Sequence, residues 1–75
     1  MERKKVESSN LESIGYDPAS RVLEVEFKGG SVYRYRECTA DQFRGLQDAV
    51  SKGSYFSKNI RGVLKFEKVQ ANEVT

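Results

Sequence analysis

Two alternating segments separated by a pair of glycines limit what this chain can fold into more than any other feature. From Arg21 to Phe27, Leu23, Val25 and Phe27 fall on one side and Val22, Glu24 and Glu26 on the other. From Ser31 to Cys38, Tyr33 and Tyr35 fall on one side and Val32, Arg34 and Arg36 on the other. A period of two marks a β-strand. Between the segments stands Lys28-Gly29-Gly30, whose glycines take the positive dihedrals a hairpin needs. Residues directly opposite one another in a hairpin share a face. A three-residue loop pairs Val25 with Tyr33, Leu23 with Tyr35 and Glu24 with Arg34, whereas a two-residue loop pairs Phe27 with Val32 and mixes the faces. The three-residue loop is therefore expected. The side carrying Glu24, Glu26, Arg34 and Arg36 is costly to bury, so helices are expected to cover Leu23, Val25, Phe27, Tyr33 and Tyr35.

The remaining elements follow from local chemistry. Leu11 to Tyr16 reads as a strand closed by Asp17-Pro18-Ala19-Ser20, where proline presets a turn dihedral and aspartate bonds the turn backbone. Thr39-Ala40-Asp41-Gln42 matches a capping box, and Phe43, Leu46 and Val50 continue it as one apolar helical stripe. Gly45 weakens this helix by up to ~1 kcal/mol relative to alanine. Gly53 reads as its stop, with Ser54 as the cap of a short second helix bearing Tyr55, Phe56 and Ile60 and ended by Gly62. Val63 to Val69 alternates again, with Leu64 and Phe66 on one side, and is a candidate fourth strand. The expected fold is α+β: an antiparallel three-stranded meander, with that candidate fourth C-terminal strand, and one or two helices packed on one face. A single domain is expected over residues 8–68, with flexible tails at 1–7 and 69–75.

With 75 residues, one core is all the chain can build. Cys38 is the only cysteine and histidine is absent, which rules out an intrachain disulfide and removes the commonest metal ligand and general base. No metal or cofactor is expected. No apolar run approaches the ~18 residues of a membrane span, no secretory pattern follows the basic start, and a lone thiol fits the reducing cytoplasm. Phosphate-loop, dinucleotide and nucleophile–base signatures are missing. Cys38 follows Glu37, a neighbour that raises a thiol pKa rather than activating it. The expectation is a domain that binds and does not catalyse.

Charge narrows where binding would occur. The net charge of +2 is uneven: residues 1–27 hold four basic against six acidic side chains, and residues 28–68 hold nine against four. Such a basic half attracts polyanions. Sheet aromatics such as those in Tyr33-Arg34-Tyr35 can stack bases. The face argument, however, puts both rings under the helices and sets Glu24 across from Arg34. The basic stretch after the first helix is the better candidate, since a helix starting at Ser54 would offer amides and dipole to an anion. Lys52, Ser54, Lys58, Arg61 and Lys65 are the expected phosphate contacts. RNA or another polyanion is the first candidate occupant. A protein partner docking on the hairpin edge or the aromatic helix surface is the second, and a small molecule or phosphate ligand, sensed by the domain, the third.

Taken together, Ser8-Ser9-Asn10, Gly15-Tyr16-Asp17, Leu23 through Phe27, Gly30, Tyr33-Arg34-Tyr35, Lys52-Gly53-Ser54-Tyr55-Phe56 and Ile60-Arg61 resemble the KTSC domain family. The resemblance covers about residues 8 to 66. That family takes its name from the C-terminal extension of some lysyl-tRNA synthetases and also occurs as short stand-alone bacterial and phage proteins. It implies a small α+β fold and, through the synthetase association, RNA binding. The chain departs from the family at Glu37-Cys38-Thr39, where members often carry Val-Pro, and at Ser57, where asparagine is common. No synthetase core is present, so aminoacylation is not expected.

Overall fold

The computed structural model describes residues 2–70, of which Gln70 is described by its backbone alone. Five strands, β1 (Lys4–Lys5), β2 (Leu11–Asp17), β3 (Val22–Phe27), β4 (Val32–Tyr35) and β5 (Phe66–Gln70), form one antiparallel sheet in the order β1-β2-β3-β4-β5. Two helices, α1 (Ala40–Asp48) and α2 (Lys52–Asn59), lie between β4 and β5 in the chain.

The hairpin register is the expected one: Leu23 faces Tyr35, Glu24 faces Arg34 and Val25 faces Tyr33. Phe27 closes the loop by donating its amide to the Ser31 carbonyl at 2.9 Å, and Gly29 and Gly30 hold φ of 112° and 100°. The turn after β2 is built by Asp17, whose carboxylate accepts from the Ala19 amide at 3.1 Å and the Ser20 hydroxyl at 2.8 Å.

The strand count is larger than the expected meander. The candidate fourth strand forms as β5 beside β4, with Phe66 opposite Tyr35 and Glu67 opposite Arg34. A further two-residue strand, β1, pairs Lys4 with Ile14 and Lys5 with Ser13. It falls in the segment expected to be a tail, because two consecutive lysines carry no alternation by which a strand could be read. The end of the expected C-terminal tail, residues 71–75, lies outside the described residues.

The capping box forms as expected: Thr39 Oγ1 accepts from the Gln42 amide and Gln42 Oε1 from the Thr39 amide. The helix boundaries after it differ from expectation. The first helix ends at Asp48 with Ala49 extended (φ −64°, ψ 140°), so Val50 leaves the apolar stripe and stands fully exposed. Ser51, not Ser54, caps α2, accepting the Ser54 amide at 3.3 Å. Gly53 is therefore inside α2 rather than a stop. Ser51 wins because its side chain reaches the N3 amide one turn earlier. Gly45 has a packing role as well as a propensity cost: a Cβ there would stand 2.5 Å from Tyr55 Cζ, so its hydrogen lets the Tyr55 ring lie against α1.

The core lies between the helices and one face of the sheet. Leu11, Ile14, Leu23, Val25, Tyr35, Cys38, Leu46, Phe56 and Ile60 are buried in one cluster. Tyr16 stacks on Phe43 at 4.9 Å and donates its hydroxyl to the Cys38 carbonyl at 2.6 Å, which docks the start of α1 on β2. Burial pushes the Cys38 thiol up to about 11. Among the described residues no helix is long and apolar enough to cross a membrane.

Candidate nucleic-acid interface

The helix-free face of the sheet neutralises its own charge. Pleating places Ser13, Glu24, Glu26 and Arg34 on this side, and Arg3 reaches across from beside β1. Gly15 makes that reach possible, since a Cβ there would stand 2.5 Å from the Glu2 carbonyl oxygen and 3.1 Å from Arg3 Cγ. Glu24 is 4% exposed and sits between two guanidinium groups: Arg34 Nε donates to its Oε1 at 2.9 Å, and Arg3 Nη1 donates to its Oε2. Arg3 Nε also donates to Ser13 Oγ at 3.0 Å, and Ser13 Oγ to Glu26 Oε1 at 2.8 Å. Burial pushes the Glu24 carboxyl up, but hydrogen bonds from Arg34 and Arg3 and their charges outweigh it, so the net shift is downward. Toward the edge, Arg36 Nη2 meets Glu67 Oε1 at 2.9 Å. A broad depression of about 610 Å³ here is lined by both signs, with Arg34 and Arg36 beside Glu2, Asp17 and Glu67. It offers a polyanion no net attraction.

The opposite face differs between its two halves. The helices cover the β2 and β3 side, while toward β4 and β5 a connected set of rings comes to the surface. Tyr33 and Tyr35 each approach Phe66 to 5.6 Å, Phe27 meets Tyr33 edge-on at 5.5 Å, and Phe56 meets Phe27 and Tyr35 edge-on at 5.4 and 5.3 Å. These rings and Arg61 line a groove of about 400 Å³. Tyr35 is its floor at 4% exposure, and Phe66 is its outer wall at 57%. Tyr33 is half-buried and has Lys68 as its cross-strand partner on β5. Only one of the two triplet tyrosines is therefore under the helices. The expected cover fails for Tyr33 because two helices of nine and eight residues do not reach across a sheet of five strands.

A second depression of about 300 Å³ adjoins the ring groove, sharing Phe27, Phe56 and Arg61 with it. Neither lining contains a carboxylate, whereas three other depressions on the described surface each contain at least one. Among the described residues, Lys28, Lys58, Arg61, Lys65 and Lys68 take part in no salt bridge.

The five residues expected to meet phosphate are dispersed. Arg61 alone lines the ring groove. Lys52 is half-buried, donates its Nζ to the Ala49 carbonyl at 3.1 Å, and lines a separate depression between β1 and α1 that also holds Glu2 and Glu7. The Ser54 amide is bonded to Ser51 Oγ, so it is not the open helix start it was expected to be. Lys58 and Lys65 are exposed and line neither the ring groove nor its neighbour. Residue-level reading missed Phe27, Lys28, Phe66 and Lys68. The signal for Phe66 was present in the alternation of Val63–Val69, which places that ring beside Tyr35 once the segment is paired as a strand.

Comparison with known proteins gives a consistent result. The family model for the KTSC domain matches residues 7–66. An uncharacterized protein of Stutzerimonas stutzeri is 41% identical over 77% of this chain and 82% of its own length. A lysine–tRNA ligase of Nostoc is 37% identical over 87% of this chain, which spans only 12% of that ligase. Among solved structures, a KTSC domain protein from Yersinia pestis superposes with a TM-score of 0.87 at 37% identity, covering 92% of this chain and 97% of that one.

Proposed function

The chain belongs to the KTSC domain family, and we propose that it is a non-enzymatic binding domain that holds single-stranded RNA in the groove between Tyr33, Phe66 and Arg61. One observation carries this reading: a carboxylate-free groove floored with rings stands beside cations that have no salt-bridge partner among the described residues. Rings accept stacked bases irrespective of sequence, at about 1–3 kcal/mol per base. Arg61 and Lys68 are the phosphate contacts closest to those rings, and Lys58 and Lys65 add long-range attraction. A duplex keeps its bases stacked on one another, so an unpaired strand fits better.

Support for RNA over other polyanions comes from the relatives that carry this region within an enzyme named for tRNA. The buried, unreactive thiol of Cys38 suits a reducing cytoplasm. The test is titration of a labelled single-stranded RNA at two ionic strengths. Affinity falls with salt by a logarithmic slope of about −0.7 per neutralised phosphate. No binding at micromolar protein in low salt removes the proposal, and association that survives nuclease and high salt assigns the groove to a protein partner instead.

A further inference from the structure

We infer that the smaller depression beside the ring groove is a seat for one phosphate of the bound strand, an inference that rests on the nucleic-acid reading above. Its polar lining is Asn10, Lys28, Ser57 and Arg61. That set offers a carboxamide, an ammonium, a hydroxyl and a guanidinium, all of them hydrogen-bond donors to phosphate oxygens. Two positive charges converge there with no carboxylate in the lining, the arrangement that favours a phosphate over a neutral ligand.

The seat is held in shape by backbone bonds. Asn10 is fixed from both sides: its amide donates to Ser8 Oγ at 3.2 Å and its carbonyl accepts from the Lys28 amide at 2.9 Å. The same bond anchors Lys28 at the mouth of the hairpin loop. Gly53 on α2 faces the segment before β2, where a Cβ would stand 3.4 Å from Asn10 Nδ2. Arg61 is tied to α2 by its amide, which donates to the Phe56 carbonyl at 2.8 Å.

Position gives the seat its role. Phe27, Phe56 and Arg61 line both depressions, so a strand whose base lies on Phe66 or Tyr33 passes Arg61 as its backbone enters the seat. Arg61 is the hinge of the contact. The seat thus sets which phosphate is held relative to the stacked base, and a stack without it would slide.

The test uses the full chain labelled with ¹⁵N, titrated separately with inorganic phosphate and with a short single-stranded oligouridylate at low salt. Phosphate alone moves the amide signals of Asn10, Gly53 and Ser57 and leaves Tyr33 and Phe66 in place, while the oligouridylate moves both groups. Asn10→Asp, at an exposed position, puts a negative charge in the seat. It abolishes the phosphate response and weakens oligouridylate binding about ten-fold through like-charge repulsion, while the ring signals still move at higher RNA concentration. Lys28→Gln, in the exposed loop, gives the same direction of change if Asn10→Asp does not fold. If the oligouridylate moves only Tyr33 and Phe66, and neither variant alters its affinity, the seat is wrong and the groove reading stands. If phosphate moves the seat but the oligouridylate moves nothing, both the strand's place in the seat and the groove reading fall. Silence to both ligands overturns both.

Discussion

The two faces of the sheet carry similar residues in opposite states. On the helix-free face, arginines are spent on carboxylates of the same chain: Arg3 and Arg34 on Glu24, Arg36 on Glu67. On the other face, at the β4–β5 end, Arg61 and Lys68 stand beside rings and have no salt-bridge partner among the described residues. Cation count alone does not locate a polyanion site. What locates it is whether the protein has already neutralised the charge, and that depends on what the pleat and the register put opposite each cation.

The largest expected effect breaks the neutralised face. Glu24→Ala leaves the Arg3 and Arg34 guanidinium groups without the carboxylate between them and costs about 3 kcal/mol, most of what a core this small supplies. Urea unfolding followed by circular dichroism reads it. Acid should act on the same group. Because the folded Glu24 pKa lies below the ordinary value, its contribution is present above about pH 4.3 and is lost as pH falls from there through the lowered folded value. Glu24→Gln removes that part of the acid dependence. If the variant's stability falls with acid as steeply as the wild type's, the buried pair is not what holds this face.

Phe66→Ala comes next and tests the opposite face. It should weaken single-stranded RNA binding by about 1–3 kcal/mol, roughly 5- to 150-fold in Kd. Its melting temperature should move little, since the ring is 57% exposed. An unchanged Kd would make the ring groove a piece of imperfectly covered core. Arg61→Ala has a smaller effect. It should lower affinity evenly across sequences and reduce the salt slope by about 0.7, read by repeating the titration at several salt concentrations.

The smallest expected effect sharpens the comparison. Arg36 and Glu67 are each half or more exposed, with side-chain exposures of 58% and 50%, so Arg36→Ala should cost less than about 0.5 kcal/mol and leave RNA affinity unchanged. A clear loss of affinity would move the interface onto the helix-free face, where Arg34 and Arg36 line the broad depression.

Much of the fold was legible in the sequence. Alternation through Leu23–Phe27 and Tyr33–Tyr35 gave the hairpin register, and Thr39 and Gln42 announced the start of α1. Local signals misled where two serines competed: Ser51 and Ser54 are equivalent cap chemistry, and the neighbouring Gly53 made the later one look like the start. The site was less legible. Arg61 was found from its charge and its place after α2, but its ring partners were assigned to the core. Two helices can cover a sheet fully or in part without changing their own apolar spacing.

The order of residues alone determined which side of each strand is apolar, which turn joins β3 to β4, and that Glu24 meets Arg34. These follow from a two-residue period and short loops, which act over a few neighbours. Only the tertiary structure decided that Arg3 would complete the Glu24 pair from 21 residues away. It also decided that Phe66 would reach Tyr33 and Tyr35, and that the helices would cover Tyr35 on β4 while leaving Tyr33 half-buried and Phe66 exposed. Those contacts depend on where whole elements come to rest against one another, a balance of packing summed over the entire core.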